Sequence, residues 1–165
     1  MKCRCNKQST VKLSYTQREY CDKCFLHYIE QRVRKDIRKK PIKPRDTVKL
    51  FDDDSKEFFV AKELLKRIFG DNITIKSSKV RQKNTVIPTN LDREVSDNLR
   101  NFLHNTNKES HMKLLDNLLE EEIVIICRIL GRKAEATEKT HFLIEKMQEK
   151  YPDTKFSLQR SFQRL

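Results

Sequence analysis

Apolar residues fall at every fourth position from Phe25 through Ile29 and Val33 to Ile37, one stripe along a helix predicted over residues 25–40. Pro41 and Pro44 stop that helix and make a short stiff linker. Beyond it the period changes. "TVKLF" (47–51) reads as a strand, and "DDDS" as a turn and helix cap. "KEFFVAKELLKRIFG" (56–70) reads as a helix with Phe58, Ala61, Leu65 and Phe69 near one face and Gly70 at its end. "NITIKSS" (72–78) alternates as a second strand, and "NTVIP" (84–88) is a third. Residues 90–105 read as a helix with Leu91, Val95, Leu99 and Leu103 (or Phe102) as its core face. Residues 120–131 are apolar on almost every side and predict a buried helix. Residues 138–151 predict a last amphipathic helix, stopped by Pro152. The order strand, helix, strand, strand, then helices predicts a small α/β domain with a largely parallel sheet.

Charge divides the chain at the same linker. The 165 residues carry a net +12, with pI near 9.6 and mean hydropathy −0.79. Residues 1–45 hold 14 Lys and Arg against 4 Asp and Glu, whereas residues 46–165 hold 22 against 20. The expected organisation is therefore a basic N-terminal module (1–45) and a nearly neutral α/β domain (46–165). On the predicted helix Arg32, Arg34, Lys35, Arg38, Lys39 and Lys40 crowd the surface left by the apolar stripe. Such a face is either a solvated charged surface or a contact for an acidic partner, and its density favours nucleic acid. No apolar run is long enough for a bilayer, and the first residues lack a signal peptide's apolar core. The expectation is a cytoplasmic protein with no membrane partner.

Four of the five cysteines, Cys3, Cys5, Cys21 and Cys24, form a C-x-C and a C-x-x-C pair fifteen residues apart. In a reducing compartment that pattern predicts a zinc-ribbon-like structural Zn²⁺ site rather than disulfides. So few apolar groups in the first 45 residues call for a metal to fold them. The C-x-C half is tighter than usual. His27 is the alternative fourth ligand, although its position suits an ordinary helix-surface residue. Cys127, inside an apolar run, reads as core.

These residues carry a family likeness. "YCDKCF", "YIEQRVRKDIR" and "KPRDTVKLF" resemble, in order, the start of the cytoplasmic tRNA 2-thiolation proteins of the PP-loop superfamily. "IPTNLDREVSDNLRNFLHN", "LLEEEIVIICRILG" and "EKYPDTKFSLQRSFQRL" resemble that family's later segments, so the likeness covers most of the chain. It implies a reduced, mostly parallel, PP-loop-like three-layer domain behind the cysteine module. It also implies tRNA as a partner.

The departures bear on activity. Family enzymes carry S-G-G-K-D-S directly after the first strand, where glycines bring backbone N–H groups to the ATP phosphates. Here the strand runs into Asp52, Asp53, Asp54 and Ser55, and the whole chain holds 2 glycines. Three carboxylates would repel phosphates; they read as a capped turn, with Mg²⁺ binding as the alternative. The family's catalytic cysteines before the "NLD" segment are missing too, and Thr89 and Arg93 replace a family His and Asp. The likeness then implies a pseudoenzyme: a non-catalytic, tRNA-binding scaffold subunit for 2-thiolation of the wobble uridine. It would use no ATP itself and would work with a catalytic PP-loop paralogue. The competing readings are a free-standing zinc-ribbon nucleic-acid binder and an active sulfur-transfer or ATP-using enzyme.

Overall fold

The computed structural model of the chain describes residues 2–16, 18–106, 111–136 and 142–164. A two-stranded antiparallel hairpin, β1 (Val11–Lys12) and β2 (Glu19–Tyr20), leads into helix α1 (Asp22–Ile37). Then follow β3 (Thr47–Phe51), α2 (Lys56–Phe69), β4 (Thr74–Ser78), β5 (Thr85–Pro88), α3 (Leu91–His104), β6 (Lys113–Leu114), α4 (Glu120–Ile129), α5 (Phe142–Lys150) and α6 (Thr154–Phe162).

Strands β3 to β6 form one parallel sheet in the order β4-β3-β5-β6. β3 is paired on both sides, with Val48 opposite Ile75 and Lys49 opposite Thr85. Alternation puts Val48 and Leu50 on the same face, and both are buried. β4 has a neighbour on one side only, and its exposed Thr74, Lys76 and Ser77 suit an edge. The helices have local reasons to begin and end. The Ser55 hydroxyl accepts from the Phe58 N–H at 3.1 Å to start α2, and Gly70 at φ +60° ends it. Asn90 accepts from the Arg93 N–H at 2.8 Å to start α3.

Two apolar clusters follow. The larger joins Phe25, Ile29, Val33 and Ile37 of α1 to the inner residues of α2 and α4 and to Val48, Leu50 and Val86 of the sheet. The smaller groups α3, α5 and α6 around Leu91, Val95 and Ile144. The α1 stripe is thus part of the main core. Residue 45 marks a change in charge, while the apolar packing runs straight across it.

Several elements differ from the sequence expectation. α1 starts at Asp22, because Cys21 already accepts from the Phe25 N–H at 2.9 Å. The buried face of α2 is Val60, Ala61, Leu64 and Leu65; Phe58 and Phe69 lie at its margin. Leu91 and Val95 are core as expected, but Phe102 and Leu103 are 65% and 56% exposed at the far end of α3. The hairpin, β6 and α6 are too short or too polar to announce themselves by periodicity. Residues 138–141 of the last predicted amphipathic helix lie outside the described residues. Among the described residues no helix is long and apolar enough to cross a membrane.

One polar network crosses the core. The Glu122 carboxylate is fully buried and takes hydrogen bonds from Arg32, from the Tyr15 hydroxyl at 2.7 Å and from the Leu119 N–H at 2.9 Å. Arg32 also donates to the Asn117 carbonyl at 2.5 Å and lies over the rings of Tyr28 and Phe156. Burial pushes Glu122 up, and Arg32 and Tyr15 pull it back. Burial and the neighbouring carboxylate raise the Tyr15 phenol, so it stays a donor.

Removing one member strands a buried charge, which costs about 3–5 kcal/mol. Arg32→Met should lower the urea unfolding free energy by that order, whereas Arg32→Met with Glu122→Leu should cost less than either change alone. A double-mutant cycle from urea titrations measures both; additive losses would show that the pair does not hold the parts together.

Candidate metal centre and basic helix

The first cysteine pair sits in a tight knuckle. The Cys3 N–H donates to the Lys7 carbonyl and the Asn6 N–H to the Cys3 carbonyl, both at 2.9 Å, with Asn6 in the left-handed region at φ +65°. The second pair opens α1: Cys21 is its N-cap and Cys24 lies in its first turn. The hairpin returns the chain so that the two pairs meet. Ser9 donates to Glu19 at 2.8 Å and Thr10 to Asp22 at 2.6 Å. The four sulfurs lie within 4.8 Å of one another, Cys5 and Cys21 at 3.5 Å, and all are free thiols. The four cysteines are thus close enough to bind a metal. A single tetrahedral ion with metal–sulfur bonds of about 2.3 Å holds its thiolates about 3.8 Å apart, which this set accommodates.

The electrostatics suit a cation. Backbone N–H groups of Cys5 and Cys21 pull the Cys3 thiol down to about 6, and that of Cys24 lowers Cys21. Cys24, hydrogen-bonded first to Cys5 and then to Cys21 and Cys3, is pushed up to about 12. A proton shared among crowded sulfurs is the one a metal replaces. The N-terminus of α1 adds a positive dipole end beside the thiolates. His27 is exposed on α1 beside Cys24, outside the four-sulfur cluster. Cys127 is buried in the main core, where burial raises its thiol.

The structure divides the basic helix. Arg32 is consumed by Glu122, and Lys40 by Asp36, by Asp116 at 2.9 Å and by the Lys113 carbonyl at 2.7 Å. These two cations, expected to face a partner, hold α1 to the rest of the chain, because each meets an acid from a distant segment, the buried Glu122 and the half-buried Asp116. Lys35, Arg38 and Lys39 are exposed, and Arg34 is half-buried. No periodicity argument separates the two sets, since the acids Glu122 and Asp116 lie 90 and 76 residues away.

The acidic turn after β3 is self-contained. The Asp52 carboxylate accepts from the Asp54 N–H and that of Asp53 from the Ser55 N–H, each at 3.2 Å. Asp54 sits at φ +60°, where glycine is the usual choice. Lys79 pairs with Asp52 at 3.3 Å and Asp54 at 2.9 Å. Two of the turn's backbone donors are therefore held by its own carboxylates. Beside it, at the carboxyl ends of the strands, lies a cleft of about 310 Å³ lined by Asp53, Thr89, Arg93, Glu94, Asp97 and Lys113 among others.

No protein-family model and no curated protein matches the sequence. Among solved structures the chain superposes on the U34-tRNA thiolase NcsA from Methanococcus maripaludis with its [4Fe–4S] cluster, with a TM-score of 0.79 at 15% identity. The match covers 99% of this chain and 86% of that one. The chain shares that structure's fold. The parallel sheet and the cysteine module in front of it are both included in the match.

Within this fold the "NLDRE" segment is architectural. Asn90 donates to Glu57 at 2.9 Å; Asp92 accepts from Lys155 and from the Glu120 N–H at 2.8 Å; Glu94 takes Lys113 and Asn98. Asp92 thereby ties the start of α4 to α6. Asp92 and Glu94 also stand in the first turn of α3, where acids are favoured, and sequence reasoning missed Tyr15, Glu122 and Lys155 altogether. Glu122 is the last of three consecutive acids that open residues 120–131, and nothing local in the sequence singles it out.

The cysteine set predicts about one metal ion per chain. Cys21→Ser or Cys24→Ser should lose it and lower the melting temperature of the whole chain, because Val11 and Leu13 of the hairpin belong to the main core. Elemental analysis of protein purified without chelator, alongside thermal melts, tests this; no metal in the wild type would refute the site.

Proposed function

We propose that this chain is a non-catalytic, tRNA-binding scaffold subunit for 2-thiolation of the wobble uridine, acting with a catalytic PP-loop paralogue in the cytoplasm. The observation that carries the reading is the β3–α2 turn. In the thiolase fold this is where glycines would offer N–H groups to ATP phosphates; here Asp52 and Asp53 already occupy two of those donors and add negative charge. The missing sulfur-handling cysteines before Asn90 support the same conclusion. On this reading the chain neither adenylates nor transfers sulfur, and its contribution is affinity for tRNA.

The affinity would come from Arg34, Lys35, Arg38 and Lys39, which contact phosphates without reading sequence. The four-cysteine site would hold structural Zn²⁺. A compact sulfur set supports a single ion, because a [4Fe–4S] cluster interposes four irons and spreads its thiolates farther apart. Zinc would supply no chemistry. Its thiolate bonds would fix the knuckle against the first turn of α1 and so set the direction in which the basic residues project.

Two outcomes are expected. The isolated chain should show no ATP–pyrophosphate exchange; robust exchange lost on Asp53→Ala would overturn the non-catalytic reading. Transfer RNA binding should weaken with salt at a log–log slope of about −3 for about four phosphate contacts. Changing Arg34, Lys35, Arg38 and Lys39 to Glu should abolish binding and leave circular dichroism unchanged, since the buried stripe is untouched. Cells carrying that variant should show lowered thiolated uridine. Metal analysis should return zinc; iron in its place would contradict the structural-zinc assignment.

A further inference from the structure

A cavity of about 350 Å³ opens where the end of α1 meets the end of α2, away from the cleft at the strands' carboxyl ends. Its floor is apolar: Ile37, Ile42, Ile68 and the half-buried ring of Phe69. Its rim is cationic, with Arg34 and Arg38 lining it. The Arg34 Nε is buried and has no hydrogen-bond partner among the described residues. A buried donor left in that state costs free energy that an incoming acceptor recovers. The wall is held in place: the Arg45 N–H donates to the Asn72 carbonyl at 2.5 Å, and the Thr74 N–H to the Asp46 carbonyl at 3.0 Å. Neighbouring in sequence the residues that line it, Lys35, Lys39, Lys43 and Arg45 are exposed, while Asp36 is paired with Lys40.

We propose that this cavity takes one unpaired nucleotide of an RNA, its base against Phe69 and the isoleucines and its phosphate on Arg34 and Arg38. The inference rests on the RNA-binding reading above and adds to it a subsite for a base. A purely phosphate-binding surface has no use for an apolar cavity between its guanidinium groups. Single-stranded RNA is recognised by stacking splayed bases on aromatic rings and arginine planes beside a cationic backbone track. The volume lies at the lower end of the ~300–1,000 Å³ usual for small-ligand sites. It suits one nucleotide better than a duplex end. Phe69 stays at the margin of its helix's core face, which is what leaves its ring available.

The test uses the full chain with its metal and two fluorescein-labelled RNAs of equal phosphate number, a hairpin with an unpaired loop and a blunt duplex. The wild type should bind the hairpin about tenfold tighter than the duplex, the usual worth of one stacked base. Phe69→Leu, which keeps the apolar volume, should remove most of that preference and change duplex binding less than about twofold, whereas Arg34→Gln should weaken both RNAs and the hairpin more. Phe69→Tyr should retain the preference. Lys35→Gln with Lys39→Gln should weaken both RNAs alike. Equal wild-type affinities, or a Phe69→Leu loss shared equally by both RNAs, would overturn the base subsite while leaving the RNA-binding reading intact. Absence of binding to either RNA would overturn both. Binding of an acidic, aromatic peptide that Phe69→Leu abolishes, with RNA preference unaffected, would reassign the cavity to a protein partner.

Discussion

A carboxylate with no exposure to water holds this molecule together. Glu122 sits at the first turn of α4, and its charge is tolerable there because three donors converge on it from three places. Arg32 comes from α1, Tyr15 from the loop inside the β1–β2 hairpin, and the Leu119 N–H from the helix start. The Arg32 guanidinium then lies over Phe156 of α6, whose ring meets Tyr15 edge-on at 5.2 Å. Four segments thus share one network. None could shift without leaving a polar group unsatisfied in an apolar surround, so the cysteine module is held at a fixed angle to the sheet. Coulomb attraction alone would not give that precision; the geometry of the guanidinium fork and the two added donors does.

The same network explains how the positive charge of the first 45 residues is used. α1 presents its apolar stripe inward, and cations at its flanks meet acids on the body: Arg32 with Glu122, Lys40 with Asp116. The exposed cations, Lys35, Arg38 and Lys39, keep their charge for solvent or a partner. A helix with a uniform basic face in sequence therefore has two jobs in space. One set anchors it and the other gives the protein its positive surface at the end of α1, beside the apolar cavity floored by Phe69.

The β3–α2 turn holds no glycine and is closed by its own side chains. The Asp54 and Ser55 N–H groups donate to the Asp52 and Asp53 carboxylates, so the turn satisfies two of its own donors. The parallel sheet needs only alternation and burial, which Val48, Leu50 and Val86 provide whether or not a nucleotide binds nearby. Stability and chemistry are separable here because they draw on different atoms: side chains inside the sheet for one, backbone N–H groups at its carboxyl end for the other.

Periodicity and punctuation alone determined β3, α2, β5, α3 and α4 nearly to the residue, because each is bounded by a capping side chain, a glycine or a proline acting over one turn. Spacing also determined the four-thiol site, since C-x-C and C-x-x-C leave chelation as the economical use of four reduced sulfurs. Only the tertiary structure decided which face of α2 is core and leaves Phe69 at the margin, and that Phe102 and Leu103 run past the end of their cluster. It alone decided that Arg32 and Lys40 are anchors, that Asp92 joins α4 to α6 through Lys155, and that the hairpin brings the two cysteine pairs together. Those outcomes depend on contacts across up to 107 residues of chain. Local propensity carries no information at that range, because a buried acid and an exposed one are the same letter until the chain closes around one of them.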